Sequence, residues 1–353
     1  MLNETPQAAP DGQPFRLSVL RNRRGMVVTV MDWGATLLSA RVPMADGSVR
    51  ETLLGCPSPQ HYLQQSAYLG ASIGRYANRI AQASIKRGST SIRLSANQNN
   101  HHLHGGGLGF DKRRWLIERQ NEQEVIYRLH SADGDQGFPG NLQVRAHYAL
   151  SEDNRLTLTY QAQVDQPCPV SISNHAYFNL DPQPSDIRQH RLQINADYYL
   201  PVDNEGIPSA GLKDVAGTSF DFRQPKRIGA EFYADDDQRA MKGYDHAFLL
   251  RTQGQAEMPA ARLWSGDEQL LLTVFTTAPA LHCYTGNYLA GVPAREQGTY
   301  RDYQGLALES EFLPDSPNHP EWPQPSCWLQ PGETYSNLTV YQFQPAKAPI
   351  RRK

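Results

Sequence analysis

Residues 305–315 read GLALESEFLPD and place two carboxylates, Glu309 and Glu311, inside an apolar run that ends at Pro314. Residues two apart in a strand point to the same face, so both acids would look one way from a strand that otherwise reads as buried. At a rise of ~3.3 Å per residue Glu311 would lie ~6.6 Å beyond Glu309. That is too far for the two to share a single proton transfer, so one acid acts and the other supports it or sits at the rim. Similar anomalies occur elsewhere. GRYANRI (74–80) carries Arg75, Asn78 and Arg79, LHGG carries His104, SISNHAYFNL (171–180) carries Asn174 and His175, and GYDHAFLL (243–250) opens on Asp245 and His246. Each alone has an ordinary explanation, such as a satisfied core histidine or a turn aspartate. Together they are harder to dismiss, because buried charges must find partners. One site holding Arg79, His104, His175, Asp245 and Glu309 would satisfy all five and would offer acid–base chemistry.

The elements that must position these groups are strands. In LQVRAHYAL (142–150) the apolar residues alternate, SEDN turns, and RLTLTYQAQV (155–164) alternates again, which predicts an antiparallel hairpin. Shorter runs at 26–30, 36–42, 92–94, 125–129, 270–276 and 338–343 are separated by turn clusters such as ADGS, SANQNN and QPGE. With 27 glycines and 25 prolines and almost no helical stripe, the chain reads as an all-β, antiparallel sandwich. The best helix candidate is SPQHYLQQSAYL (58–69), with Ser58 as N-cap and Pro59 in the first turn. A single domain over 14–343 with loose termini at 1–13 and 344–353 is expected.

At 353 residues a sizeable core is within reach without staples. The net charge of −2, with acids and bases interspersed, argues against nucleic-acid or anionic-membrane partners. The basic end Arg351-Arg352-Lys353 reads as a solvated tail. Four scattered cysteines (Cys56, Cys168, Cys283, Cys327) without a CxxC, and no secretory or membrane-spanning pattern, point to reduced thiols and a cytoplasmic setting. A monomer is the expected state, with a dimer as the alternative.

Two motifs mislead. GASIG (70–74) resembles a nucleophile elbow and HGGG (104–107) a lipase oxyanion loop. The elbow, however, needs a strand–turn–helix in an alternating α/β chain, and the HGGG loop there precedes the nucleophile rather than following it. HHLH (101–104) invites a metal reading through His102 and His104 on one strand face; one useful histidine beside two solvated ones is the plainer expectation. The glycines at 105, 106, 107 and 109 do not open a helix after a strand, so they make no phosphate cradle.

The stretches GRYANRI, LHGGGLGFDKRRW, GFPGNLQV, SNHAYFNL, YLPVDNEGIP, GTSFDFR, GYDHAFLL, YTGNYLAG and LALESEFLPDSPNHP, in this order, resemble the aldose 1-epimerase (galactose mutarotase) family over about residues 30 to 343. The resemblance implies a large β-sandwich that interconverts α and β anomers of free aldoses without cofactor or metal. By position it implies Glu309 as general base and His175 as general acid, with His104 near the ring oxygen. Asn78, Arg79 and Asp245 would grip sugar hydroxyls. One position departs: the family often carries Gln where this chain has His282, in LHCYTGN. Gln and neutral His both donate and accept hydrogen bonds, so the change bears on a hydroxyl contact and on sugar preference, not on the acid–base pair.

For the chemistry, Glu309 is expected ionised from an ordinary pKa near ~4.3 and His175 near ~6.5, raised by Asp245 and Glu309. Arg79 should hold the carboxylates charged. A bell-shaped pH profile belonging to the coupled pair follows. Three other functions fit parts of the pattern. They are a non-catalytic sugar-binding sandwich, a glycoside hydrolase using Glu309 and Asp245, and a hexose 6-phosphate epimerase with Arg75 near the phosphate.

Overall fold

The computed structural model describes residues 2–346. Strands dominate, and nearly all pairings are antiparallel. The predicted hairpin forms, with pairs running from Leu142↔Val164 to Leu150↔Leu156. Asn154 takes the left-handed turn position, at φ 59°. Leu142, Val144, Ala146, Tyr148 and Leu150 are buried while the intervening residues are more exposed, as period two demands.

This hairpin lies within a nine-stranded sheet. On one side of it come Glu124–Ser131 and then Leu116–Gln120. On the other come Tyr335–Pro345, Leu270–Thr276, Ala261–Trp264, Arg191–Ile194 and Lys226–Arg227. A six-stranded sheet runs in the order Tyr177–Phe178, Leu306–Glu311, Ala280–Tyr284, Asp245–Leu250, Ala196–Tyr199, Lys213–Asp214. Leu272, Val274 and Tyr341 of the large sheet share one apolar core with Leu308, Cys283 and Phe248 of the smaller one. Full burial of each such side chain contributes about 1.5–3 kcal/mol, so this layer holds the two sheets together. A five-stranded sheet of residues 2–51 and four two-stranded pairings make up the rest of the described β architecture.

Three expectations change. Leu2–Ala8 is not a loose end; its backbone pairs with Pro14–Arg21 through a turn at Asp11-Gly12. The segment lacks apolar alternation, and edge pairing through main-chain groups needs none. At the other end the last strand runs on to Pro345, and the basic tail lies outside the described residues. The helix of 58–69 shrinks to Pro59–Tyr62, because the Ser58 hydroxyl bonds His61 Nδ1 at 2.9 Å and caps no backbone N–H. The rest becomes a loop that carries Ser66, Ala67 and Tyr68 into a pocket wall.

All four cysteines are buried and unbridged. Among the described residues no helix is long and apolar enough to cross a membrane.

Candidate active site

The strand Leu306–Glu311 is buried throughout, yet its two faces differ. Leu306 and Leu308 enter the inter-sheet core, while Glu309 lines a cavity on the opposite face. The neighbouring strand repeats the pattern: Leu281 and Cys283 face the core, and His282 and Tyr284 line the cavity. His282 lies directly across from Glu309, and Asp245 across from Tyr284 one strand further. Alternation along three adjacent strands thus gathers the polar groups on one side.

The opposite wall is a short ribbon, Arg79–Ile80 paired with His102–Leu103. It ties the ANRI and LHGG motifs together through two hydrogen bonds. His104 N–H donates to the Asn78 carbonyl at 3.0 Å, and Asn78 N–H donates to His104 Nδ1 at 3.1 Å. Since Nδ1 accepts, the neutral ring carries its proton on Nε2. Asn78 and His104 both have positive φ, at 66° and 50°, a conformation common for Asn and costly for His. Gly105 explains part of HGGG: a Cβ there would lie 1.7 Å from the Gly74 carbonyl oxygen. The loop is a packing device, and Ser72 of GASIG is buried and bonded to the Tyr160 hydroxyl at 2.6 Å. Arg79 donates from Nε to Gln98 Oε1 at 2.7 Å, and its Nη2 lies 4.0 Å from Asp245 Oδ2. Gly206, at φ +79°, lets its loop cover the guanidinium, for a Cβ there would approach Arg79 Cζ to 2.6 Å.

His175 follows the Ser173–Asn174 bridge to Ser72–Ile73 and donates its backbone N–H to the Ala71 carbonyl at 2.9 Å. Its ring lies between Tyr68, stacked at 5.9 Å, and Tyr177, tilted at 4.8 Å, with His104 edge-on at 5.3 Å. His175 Nε2 is 3.5 Å from Glu309 Oε1. The cavity so enclosed measures about 400 Å³ and is polar, a size for one monosaccharide ring with room at its mouth.

Burial reverses the expected charge states. Desolvation pushes His175 down to about 3, and Asp245 pulls the other way too weakly to matter. His104 is driven well below its ordinary value by burial, then by the charges of His175 and Arg79. Glu309 is raised well above the usual carboxylate range by burial and by Glu311 and Asp245, with Arg79 opposing. Glu311 rises to about 7 through burial, despite His282 and the hydrogen bond from Asn78. For Asp245, burial is overcome by the His282 hydrogen bond and the Arg79 charge, which hold it at about 2. The resting pocket therefore pairs an ionised Asp245 with Arg79 and keeps a proton on Glu309 beside neutral His175. The charge states expected from residue types alone, an ionised Glu309 and a protonated His175, are reversed by desolvation.

Every sequence-selected site residue, namely Asn78, Arg79, His104, His175, Asp245, His282 and Glu309, lines this cavity. Glu311 does not, and it is not at the rim either: it is 1% exposed and accepts from Asn78 Nδ2 at 2.9 Å. Arg75 is buried on carbonyls of Ser131, Ala132 and Pro139, remote from any role as a phosphate cation in this cavity. HHLH divides three ways. His101 meets Gln82 N–H and Glu205 and His102 the Ser95 carbonyl, both buried rather than solvated as expected, and only His104 reaches the cavity. Tyr68, Tyr177 and Tyr284 were missed. Period two could have found the last two, which stand two residues beyond His175 and His282. Donor atoms of His104, His175 and Glu309 lie within 4.8 Å of one another, but a metal ligand needs a free lone pair. With Asn78 N–H on Nδ1, neutral His104 presents an N–H instead, so the trio fits a cation poorly.

The fold and pocket define a class: an antiparallel β-sandwich that offers a carboxyl and imidazoles for proton transfer to one small polyhydroxylated ring. The aldose 1-epimerase sequence profile matches residues 16–342. The aldose 1-epimerase of Escherichia coli (strain K12) is 64% identical over 343 residues, covering 97% of this chain and 99% of the relative. The galactose mutarotase of Homo sapiens is 36% identical over 321 residues, covering 90% and 91%. Among solved structures, galactose 1-epimerase from Lactobacillus acidophilus NCFM superposes with a TM-score of 0.84 at 32% identity, covering 98% and 99%. The chain belongs to the aldose 1-epimerase family.

Proposed function

We propose that this pocket interconverts the α and β anomers of free aldohexoses such as galactose and glucose by opening and reclosing the ring. The observation that carries the reading is the contact of Glu309 with His175, buried together in a polar cavity of monosaccharide size. Opening a cyclic hemiacetal removes the proton on O1 and adds one to O5; the C1–O5 bond breaks and a free aldehyde forms. Rotation about C1–C2 presents the other carbonyl face, and closure returns the protons. Nothing is oxidised and no group is transferred.

Glu309 takes the O1 proton and His175 supplies the O5 proton. The pair needs one proton between them. At rest it sits on Glu309, and its passage over the 3.5 Å gap to His175 Nε2 creates the reactive ion pair. Sugar hydroxyls and Arg79 stabilise the carboxylate so formed. General acid–base help of this kind is worth about 10²–10⁴-fold. His104, held neutral with Nε2–H free, donates toward the ring oxygen. Asn78, Arg79, Asp245 and His282 hold the other hydroxyls. Both Asp245 oxygens face partners, Oδ1 at 2.7 Å from His282 Nε2 and Oδ2 toward Arg79. That suits a group that grips hydroxyls rather than one that attacks an anomeric carbon, as a glycoside hydrolase would need.

Polarimetry on freshly dissolved α-D-galactose tests the proposal. The rotation should decay faster with enzyme, in proportion to its concentration, and aryl glycosides should release no sugar. An unchanged spontaneous rate would leave only a sugar-binding protein. The four buried unpaired thiols accord with a reducing compartment, and we take the protein to act as a cytoplasmic monomer, which sedimentation equilibrium checks.

A further inference from the structure

Glu311 stands behind the cavity wall, completely buried on the same strand face as Glu309. Its Oε1 accepts an N–H from Asn78 Nδ2 at 2.9 Å and lies 3.9 Å from His282 Nδ1; its Oε2 has no hydrogen-bond partner among the described residues. The Asn78 amide can point only one way, because its Oδ1 accepts the Arg79 backbone N–H at 2.9 Å. Its NH₂ group therefore faces Glu311 with one hydrogen and His282 Nδ1, at 3.2 Å, with the other. A ring nitrogen that accepts carries no proton, so His282 holds its proton on Nε2 and donates it to Asp245 Oδ1 at 2.7 Å.

We propose that Glu311 is a positioning residue: by anchoring Asn78 it fixes the tautomer of His282 and the hydroxyl-gripping geometry of Asp245, and once ionised it holds the working proton on Glu309. The proposal rests on the anomer-interconverting reading above. The ionisable groups facing Glu311 are Glu309 on its own strand, His282 and Asp245 on the next two strands, Arg79 on the opposite ribbon, and the phenols of Tyr76 and Tyr335. Arg79 is the one cation among these facing groups, and Asp245 already engages it. A second and third carboxylate charge in the same dry space go uncompensated, so ionising Glu311 makes ionising Glu309 harder. Two strand neighbours on one face are ~6.6 Å apart. At an effective dielectric constant of ~20 their repulsion displaces a titration by about one to two pH units.

Two substitutions separate the anchor from the charge. Glu311→Gln keeps a carbonyl that accepts from Asn78 but removes the charge; Glu311→Leu removes both. Under the proposal Glu311→Leu raises KM for galactose about tenfold, the worth of one buried hydrogen bond, with a smaller change in kcat. Glu311→Gln keeps KM within about threefold of the parent. Both move the alkaline limb of kcat/KM down by about one to two pH units. An unchanged KM in Glu311→Leu, or an unmoved alkaline limb in Glu311→Gln, overturns it. Should Glu311→Leu fail to fold, the limb of Glu311→Gln decides alone. Should the parent enzyme fail to speed mutarotation, the functional reading falls, and ¹⁵N shifts of the His282 ring still decide the anchor. They should report Nε2–H in the parent and in Glu311→Gln and a tautomer mixture in Glu311→Leu; one tautomer throughout refutes it.

Discussion

Lowering the pH attacks the pocket at His175. The ring sits at about 3 instead of its ordinary 6.5, a gap of 6.5 − 3 = 3.5 units. At 1.36 kcal/mol per unit, charging it inside the folded protein costs about 5 kcal/mol more than charging it in the unfolded chain. The folded value is depressed, so the unfolded chain binds more protons. The contribution is therefore fully present above about pH 6.5 and drains away as the pH falls toward about 3. His102 and His246, each driven down to about 4 by burial, act in the same direction. Against a typical total stability of about 5–15 kcal/mol these losses are large, and thermal unfolding should shift steeply downward below about pH 6. The same displacement governs catalysis. The bell in kcat/KM widens, and a profile flat from mild acid to mild alkali, which residue types alone would count as adverse, becomes the expected one. Polarimetric rates, corrected for the buffer-catalysed background, should show no acid inflection near 6.5. Histidine ¹⁵N spectra, with the His175 resonances assigned by their absence in His175→Asn, should show no titration of that ring between about pH 5 and pH 8. An acid limb near 6.5 that tracks a titrating His175 would refute the claim that burial outweighs the neighbouring acids.

Glu309→Gln should cut kcat by at least about 100-fold with no loss of stability, and its melting temperature should exceed the parent's increasingly as the pH rises, because a buried carboxyl with a raised value destabilises once ionised; a lower Tm at alkaline pH counts against this. His282→Gln keeps a donor for Asp245 and an acceptor for Asn78, so kcat should change less than about threefold while the ratio of KM for glucose and galactose moves; progress curves for each sugar measure it. Gly105→Ala would force a Cβ to within 1.7 Å of the Gly74 oxygen, at a position that already has positive φ, and should cost at least about 2 kcal/mol by chemical denaturation.

Residue spacing carried the site a long way because the site is written in the same period as the sheet. Glu309, His282 and Asp245 are strand residues whose alternate neighbours fill the core, so a polar residue in an apolar alternation marks the face that cannot be core. His175 and the Asn78–His104 ribbon follow the same logic of polar groups in otherwise apolar runs. What period two does not carry is depth. The strand GLALESEF looks alike whether Glu311 lies at a rim or behind a wall, because both placements keep it on one face; only packing of Asn78 and His282 against it distinguishes them. Charge states fail for the same reason. Counting Asp245 and Glu309 near His175 predicts an imidazolium, since Coulomb attraction follows from residue type, but desolvation depends on what surrounds the ring. Here Tyr68 and Tyr177 cover it on either side, and one of them comes from a loop that the sequence had assigned to a helix. Burial of this kind disfavours the imidazolium, and with Glu311 and Asp245 beside Glu309 the proton rests on Glu309. The acid–base pair is therefore legible as a pair of residues, and its resting protonation is a property of the burial and the neighbouring carboxylates around it.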